Sequence, residues 1–296
     1  MSDPFSDVLA ALGTQSVRGT RLEAAGDWAL SFDGRGRLKF VAVVKGCCWL
    51  LLAGQEPERL CAGDVLLLSN IRYTVASDPA VEAVDGMRLY EGPGRDTVRL
   101  GEACDTVMIG GGSGFADGCG SFVLDALPAF LRVEQTSPGA AAVARTLEAL
   151  QDEVRLGAVG GPLVSERLAE ILVVEAVRAH VAASSAESVG WITALADRRI
   201  ARAISLMHGD VARRWTVPML ARETGMSRSA LTERFARRVG RPPMEYLTHW
   251  RMMLAQRKLA TGEAVATVAT DVGYRSQSAF AHAFKRMTGQ TPRRRR

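Results

Sequence analysis

A chain of 296 residues, 47% hydrophobic and 23% charged, has the composition of an ordinary globular protein with room for two domains. Its formal charge of +5 is unevenly spread: residues 190–296 hold 21 Lys and Arg against 7 Asp and Glu, a net of +14, and the remainder holds 16 against 25, a net of −9. No run of about eighteen apolar residues is present, which excludes a membrane-spanning helix, and the +14 segment is the electrostatic footprint of a phosphate-backbone binder. The acidic start MSDPFSDVLAALG lacks the basic and apolar segments of a signal peptide. Five scattered cysteines, an odd number, do not make a disulfide framework, so the expected compartment is a reducing cytoplasm.

In chain order, residues 1–16 predict a short helix with Val8, Leu9 and Leu12 on one face. Short strands follow. LKFVAVVKGCCWLLLAG (38–54) is rich in β-formers and broken at Gly46. After it, Gly63-Asp64 reads as a tight turn feeding the strand Val65–Leu68, Asn70 opens another turn, and Tyr73–Ala76 forms another strand. Strands punctuated by Gly, Asn and Asp predict an antiparallel sandwich or barrel. Cys47 and Cys48 are adjacent on a strand, so one faces inward and one outward. With Cys61, Cys104 and Cys119 they are candidates for redox chemistry, set against the common fate of free Cys as a small buried apolar residue. Trp28, Phe40, Trp49 and Tyr73 are candidates to line a ligand pocket or to fill the core. The run Ile-Gly-Gly-Gly-Ser-Gly-Phe (109–115) has no Gly-Lys-Ser/Thr ending, so it predicts a loop or irregular strand turn rather than a phosphate cradle.

The order "Gly-Asp, apolar run, turn, aromatic" resembles the second half of a cupin barrel. More narrowly, it resembles the cupin-like sensor domain ahead of some AraC-type DNA-binding domains. This resemblance implies a β-barrel sensor over residues 1–136 that takes an unknown small-molecule effector. Metal-using cupins cluster His and Glu on barrel strands. The four histidines here, His180, His208, His249 and His282, all lie beyond the strands and far apart, so no metal, no cofactor and no cupin enzyme chemistry is expected.

From Gly139 the apolar period becomes helical. Val143, Leu147, Leu150 and Val154 share one face of 140–156. After LGAVGGP, Pro162 fits the first turn of a second helix running to about Ser184, with Leu168, Ile171, Leu172, Ala176 and Ala179 in its stripe. This hairpin (137–185) is a candidate for homodimerisation, a role such hairpins often take in the resembled family. Small and polar residues at 186–191 read as a linker, and the basic domain spans 192–296.

Two copies of one unit organise that domain. In VPMLARETGMSRSALTERFARRVG (217–240), Leu220, Ala221 and Thr224 form a small apolar face, Gly225 stops the first helix, Ser227 caps the next, and Leu231, Phe235 and Val239 recur every four residues. The segment 265–289 repeats the plan with Val268, Ala269, Gly273, Phe280 and Phe284. A helix from Pro243 to about Thr261 separates the copies. Two helix-turn-helix units spaced by one rigid helix can reach successive major grooves on one face of DNA. Gly225-Met-Ser-x-Ser-x-Leu-x-x-x-Phe, Arg251–Leu259 and Asp271-x-Gly-Tyr-x-Ser-x-Ser-x-Phe-x-x-x-Phe-Lys resemble the DNA-binding domain of the AraC/XylS family. That family usually follows the final Thr-Pro with Tyr and Arg, whereas Arg293–Arg296 follow Thr291-Pro292 here.

The whole is therefore expected to be an α+β multidomain protein: a cupin-like antiparallel β-barrel with a helical hairpin, then an all-α domain with two helix-turn-helix units. The resemblance implies a sequence-specific regulator of transcription, an activator or a repressor, working with RNA polymerase on double-stranded DNA, answering a small effector or oxidant, and not an enzyme. Ser229, Thr232, Glu233, Gln277, Ser278 and His282 are the candidates for base contact; Arg228, Arg237, Arg238, Arg275, Ser276 and Lys285 are those for phosphate contact. Glu233 is also placed to pair with Arg237 at i,i+4. Trp250 and Met253 read as core. The alternatives are a cupin-like enzyme with a nucleic-acid tether and an architectural DNA binder without an effector.

Overall fold

A computed structural model describes residues 3–12, 19–92, 95–114, 120–133, 137–156, 158–184 and 188–293. The chain forms two compact units. One comprises Gln15–Gly114 and Leu127–Ala183; the other gathers Met1–Thr14, Phe115–Ala126 and Ser184–Arg296. The division crosses the sequence boundary at residue 136, because two N-terminal segments join the C-terminal helices.

The first unit carries eleven strands: β1 (Thr20–Ala24), β2 (Ala29–Asp33), β3 (Arg37–Lys45), β4 (Cys47–Leu52), β5 (Glu58–Cys61), β6 (Val65–Ser69), β7 (Arg72–Ala76), β8 (Val84–Asp85), β9 (Thr97–Leu100), β10 (Thr106–Gly114) and β11 (Phe130–Val133). They form a six-stranded sheet, β11-β6-β3-β10-β1-β9, and a five-stranded sheet, β5-β4-β7-β2-β8. The expected barrel is thus two open sheets. The expected antiparallel order also has two exceptions, since β9 runs parallel to β1 and β8 parallel to β2. Side chains alternate along β4, where Cys48, Leu50 and Leu52 are buried. They meet Leu22, Val41, Leu66, Leu68 and Met108 of the other sheet in one core.

All five residues of β6 are buried. That continuous apolar run fits a strand covered on both faces, and the unit's second helix packs on β6 and β11. Turns fall where the sequence punctuates them. Gly46 and Gly63 take φ of 71° and 96°, and Asn70 is at φ 54°.

Helices α3 (Ala140–Leu156) and α4 (Gly161–Ala183) form the expected hairpin. Thr146 donates to Glu175 at 2.6 Å across it. Ile171 departs from the buried stripe: it is 47% exposed, and Leu163 and Val164 on the same helix are also exposed.

The helical unit contains α1 (Pro4–Leu12), α2 (Ser121–Leu124), α5 (Arg198–Gly209), α6 (Val217–Thr224), α7 (Arg228–Val239), α8 (Pro243–Ala260), α9 (Val265–Asp271) and α10 (Gln277–Thr288). Helix α1 packs on α5 and α8, with Phe5 and Val8 buried. Phe122 of α2 lies in an aromatic cluster with Trp191, Tyr246 and Trp250. Trp250 and Met253 are buried, as the apolar pattern of α8 requires. No helix among the described residues is long and apolar enough to cross a membrane.

Candidate nucleic-acid interface

The first helix-turn-helix is assembled by local chemistry. Thr216 caps α6 by accepting from Met219 N, and Pro218 sits in the first turn, where its missing N–H is not needed. Gly225 closes the helix at φ 64°, a left-handed conformation that a Cβ would strain. Ser227 then caps α7 by accepting from Ala230 N at 3.2 Å. Leu231 and Phe235 are fully buried against the neighbouring helices.

This leaves an outward face. Arg228, Ser229, Glu233 and Arg237 are exposed, and Thr232 is half-buried. The Thr232 hydroxyl donates to Arg228 O at 2.9 Å, which occupies its proton within the helix. Ser229 Oγ lies 3.2 Å from Ser227 Oγ. Glu233 does pair with Arg237, at 3.8 Å, and both side chains are well exposed. Such a pair is weak and easily exchanged for another partner. Arg238 is a correction: only 9% of it is exposed, so it does not stand on the phosphate-facing surface with Arg228 and Arg237.

The second unit follows the same plan with a longer turn. Ser276 caps α10, accepting from Ala279 N at 3.3 Å, so its hydroxyl has a structural duty beside its assigned phosphate role. Arg275, Gln277, Ser278, His282 and Lys285 are all exposed, while Phe280 and Phe284 enter a core with Met252, Leu259 and Val268. Helix α8 spans both units. Its 18 residues make it ~27 Å long, close to the ~34 Å between successive major-groove faces.

Three residues that hold this frame are silent in the sequence pattern. Asp197 caps α5 through Arg199 N and Ile200 N and accepts from Arg234 of α7 at 2.6 Å. Burial works against its charge, but the hydrogen bonds from Arg234 and from the backbone outweigh it and hold its carboxyl below the usual range. Arg251 of α8 donates to the carbonyls of Val211 and Arg213, at 2.8 Å each through Nη2. Lys258 bridges Glu263 and Asp271, at 3.0 and 2.6 Å. Apolar periodicity carries no trace of these contacts. Only the hints of an Asp before a helix, and of charges at its end, point to two of them.

In the β-unit, the run Gly110–Gly114 is not a loop. It lies in β10, paired antiparallel with β3 from Gly110↔Val41 to Gly114↔Arg37. Gly110, Gly111 and Gly112 line a cavity of about 330 Å³ reached by strands of both sheets. Of the four aromatics proposed for a pocket, Tyr73 lines this cavity. Trp28 and Phe40 are buried core, and Trp49 is half-buried.

The cysteines sort by position. Cys47 and Cys61 are opposite each other on β4 and β5 and form a disulfide, contrary to the expectation of unpaired thiols. The hairpin register makes that pair, 14 residues apart in sequence. Cys48 is buried, and burial, with the charge of Asp64, pushes its thiol up to about 12. Cys104 is a half-exposed free thiol, and Cys119 lies outside the described residues. Among the described residues no group of His, Cys, Asp and Glu could hold a metal ion.

Two capped helix-turn-helix units on one connecting helix, joined in one chain to a cupin-like β-unit, define a DNA-binding transcription regulator. The comparisons agree. Residues 3–182 match the cupin family model, and residues 220–296 match the helix-turn-helix domain. A putative AraC-like transcription regulator of Streptomyces lividans is 40% identical over 98% of this chain and 96% of its own. A second, from Streptomyces antibioticus, is 39% identical over 98% and 97%. The DNA-binding domain of AdpA, a global transcriptional factor solved in complex with a target DNA, is 31% identical over 31% of this chain and 84% of that chain, with a TM-score of 0.30. The chain belongs to the family of AraC-like transcription regulators with a cupin N-terminal half.

Proposed function

We propose that α7 and α10 are the recognition helices of this regulator. Ser229, Thr232 and Glu233 read bases from one, and Gln277, Ser278 and His282 from the other. Arg228, Arg237, Arg275, Ser276 and Lys285 hold phosphates. The observation that carries this reading is the division of each helix: its apolar residues are consumed by the core, and the polar residues left over form an outward face whose candidate base contacts all fall in the N-terminal half of the helix. Thr232, with its hydroxyl bonded to the helix, presents its methyl, which suits a thymine methyl.

The cupin-like unit, on this reading, takes the effector and has no catalytic role. The exposed Leu163, Val164 and Ile171 of α4 offer an apolar strip for a second copy of the chain. The protein works in the cytoplasm and acts with RNA polymerase. An oxidant response is the second reading, favoured by the Cys47–Cys61 bond and without a part for Cys48, since burial keeps that thiol from forming a thiolate.

Thr232→Ala and Gln277→Ala test the assignment. Each is expected to change preference at one or two base pairs and to cost about 1–3 kcal/mol on the specific site. Arg228→Ala is expected to weaken binding to all sequences alike and to reduce the salt slope by about 1. Uniform losses from all three would remove the distinction between reading and holding.

A further inference from the structure

The cavity in the β-unit contains polar groups that the fold itself does not use. Lys39, on β3, is only 9% exposed. Its ammonium has no oxygen partner among the described residues: it stands 3.6 Å from Met87 Sδ and 5.5 Å from the centre of the Phe32 ring. Asp33, the carboxylate whose field reaches it, is already held by Arg35 and Arg72. Arg37 adds a second positive charge to the same cavity. Tyr73, 5% exposed, also lines it, and its hydroxyl has no hydrogen-bond partner among the described residues. An ammonium held only by a thioether and a ring, and a hydroxyl with no acceptor in the fold, are both left free to meet a ligand in the cavity. One ligand with two anionic oxygens would engage both.

The rest of the cavity is apolar. Leu22, Val41, Val75 and Met108 line it beside the Phe32 ring. The glycines of β10 leave its floor without side chains. Gly112 faces Lys39 in the sheet register, and a Cβ there would come within 2.9 Å of Lys39 Cγ. At about 330 Å³ the space lies at the small end of the ~300–1,000 Å³ found for small-molecule sites.

We propose that this cavity binds a small amphipathic monocarboxylate, its carboxylate on Lys39 Nζ and Tyr73 Oη and its apolar body against Leu22, Val41, Val75 and Met108. The proposal rests on the reading of the cupin-like unit as the effector-binding part and names the chemistry of that effector. The apolar walls disfavour a phosphate or a sugar, and Glu91, also on the lining, disfavours a second negative charge. Burial, with the charge of Arg37, pulls the Lys39 ammonium down to about 8. A bound carboxylate holds the proton on Lys39 and raises that value, so binding weakens as pH rises through 8 toward 9. Arg35 holds Asp33 ionised throughout that range, and burial raises the Tyr73 and Tyr90 hydroxyls out of it.

Calorimetry on the full chain at pH 7 tests this, with phenylacetate and octanoate as the two acids and 2-phenylethanol and octan-1-ol as their neutral counterparts. At least one acid is expected to bind saturably, about tenfold or more tighter than its alcohol. Preference for phenylacetate assigns a flat body to the ligand, and preference for octanoate a chain. Lys39→Met should weaken acid binding by about tenfold or more, Tyr73→Phe severalfold, and wild-type binding should fall between pH 7 and 9. Should Lys39→Met not fold, Tyr73→Phe and the pH profile decide. Alcohols binding as tightly as acids, acid binding indifferent to Lys39 or pH, or no binding of either acid would overturn the proposal. Gel retardation of DNA by the same samples separates the two levels: acid binding without any change in DNA affinity would leave the site standing and remove the effector reading.

Discussion

His208 stacks on Trp250 with ring centres 4.0 Å apart, and its Nε2 lies 2.8 Å from the Tyr246 hydroxyl. Burial pulls its imidazole down to about 3. In the unfolded chain it titrates near the usual 6.5. Below that value the unfolded state takes up a proton that the folded state refuses. The stability this histidine contributes is therefore complete above pH 6.5 and is lost as pH falls toward 3, with a slope of up to ~1.4 kcal/mol per pH unit. Denaturant titrations at pH 7.0 and 5.5 should show the loss, and His208→Gln should flatten it; equal losses in both proteins would assign the pH dependence elsewhere. Burial also silences Cys48, whose thiol lies up at about 12. An alkylating reagent at pH 7 should therefore modify the half-exposed Cys104 and leave Cys48 intact, as read by peptide mapping of the native protein. Rapid labelling of Cys48 would contradict its place in the core.

At the scale of elements, the orientation of α7 depends on a contact made to α5. Asp197 both caps α5 and receives Arg234. Asp197→Ala should cost about 1–3 kcal/mol in unfolding free energy, combining a lost cap with a carboxylate removed from a partly exposed guanidinium. A loss below ~0.5 kcal/mol would mean that other packing fixes α7. The helices themselves were legible because their signals are local: Ser227 and Gly225 bound α7 and α6 where the chain places them, and 140–156 is a helix over that same range. Features set by distant partners were not legible. The glycine run looked like a loop because β10 gains its order from pairing with β3 and β1. Cys47 and Cys61 meet only once the β4–β5 register is known. Ile171 fits the apolar stripe of α4 by spacing yet faces outward, and Arg238, read as a surface cation, is buried beside Val239. Of the cavity, the sequence suggested Tyr73 alone; Lys39 sits in a strand whose apolar neighbours hide it.

For the whole molecule, a net of +14 over residues 190–296 against −9 elsewhere concentrates the attraction for DNA in the helical unit. That unit also recruits α1 and α2 from the N-terminal half of the sequence, so a cut at residue 190 would remove the buried Phe5 and Val8 and the half-buried Phe122 from it. A fragment starting there should unfold at lower denaturant than the helical part of the intact chain; an unchanged midpoint would show that these segments add nothing. The central claim is that both helix-turn-helix units engage one DNA site through one connecting helix. Hydroxyl-radical footprinting of the intact protein on DNA selected from random sequence tests it most directly. Two protected patches on one face, about 10 base pairs apart, are expected, with the second weakened by Gln277→Ala combined with Lys285→Ala. A single protected patch that these substitutions leave unchanged would contradict it.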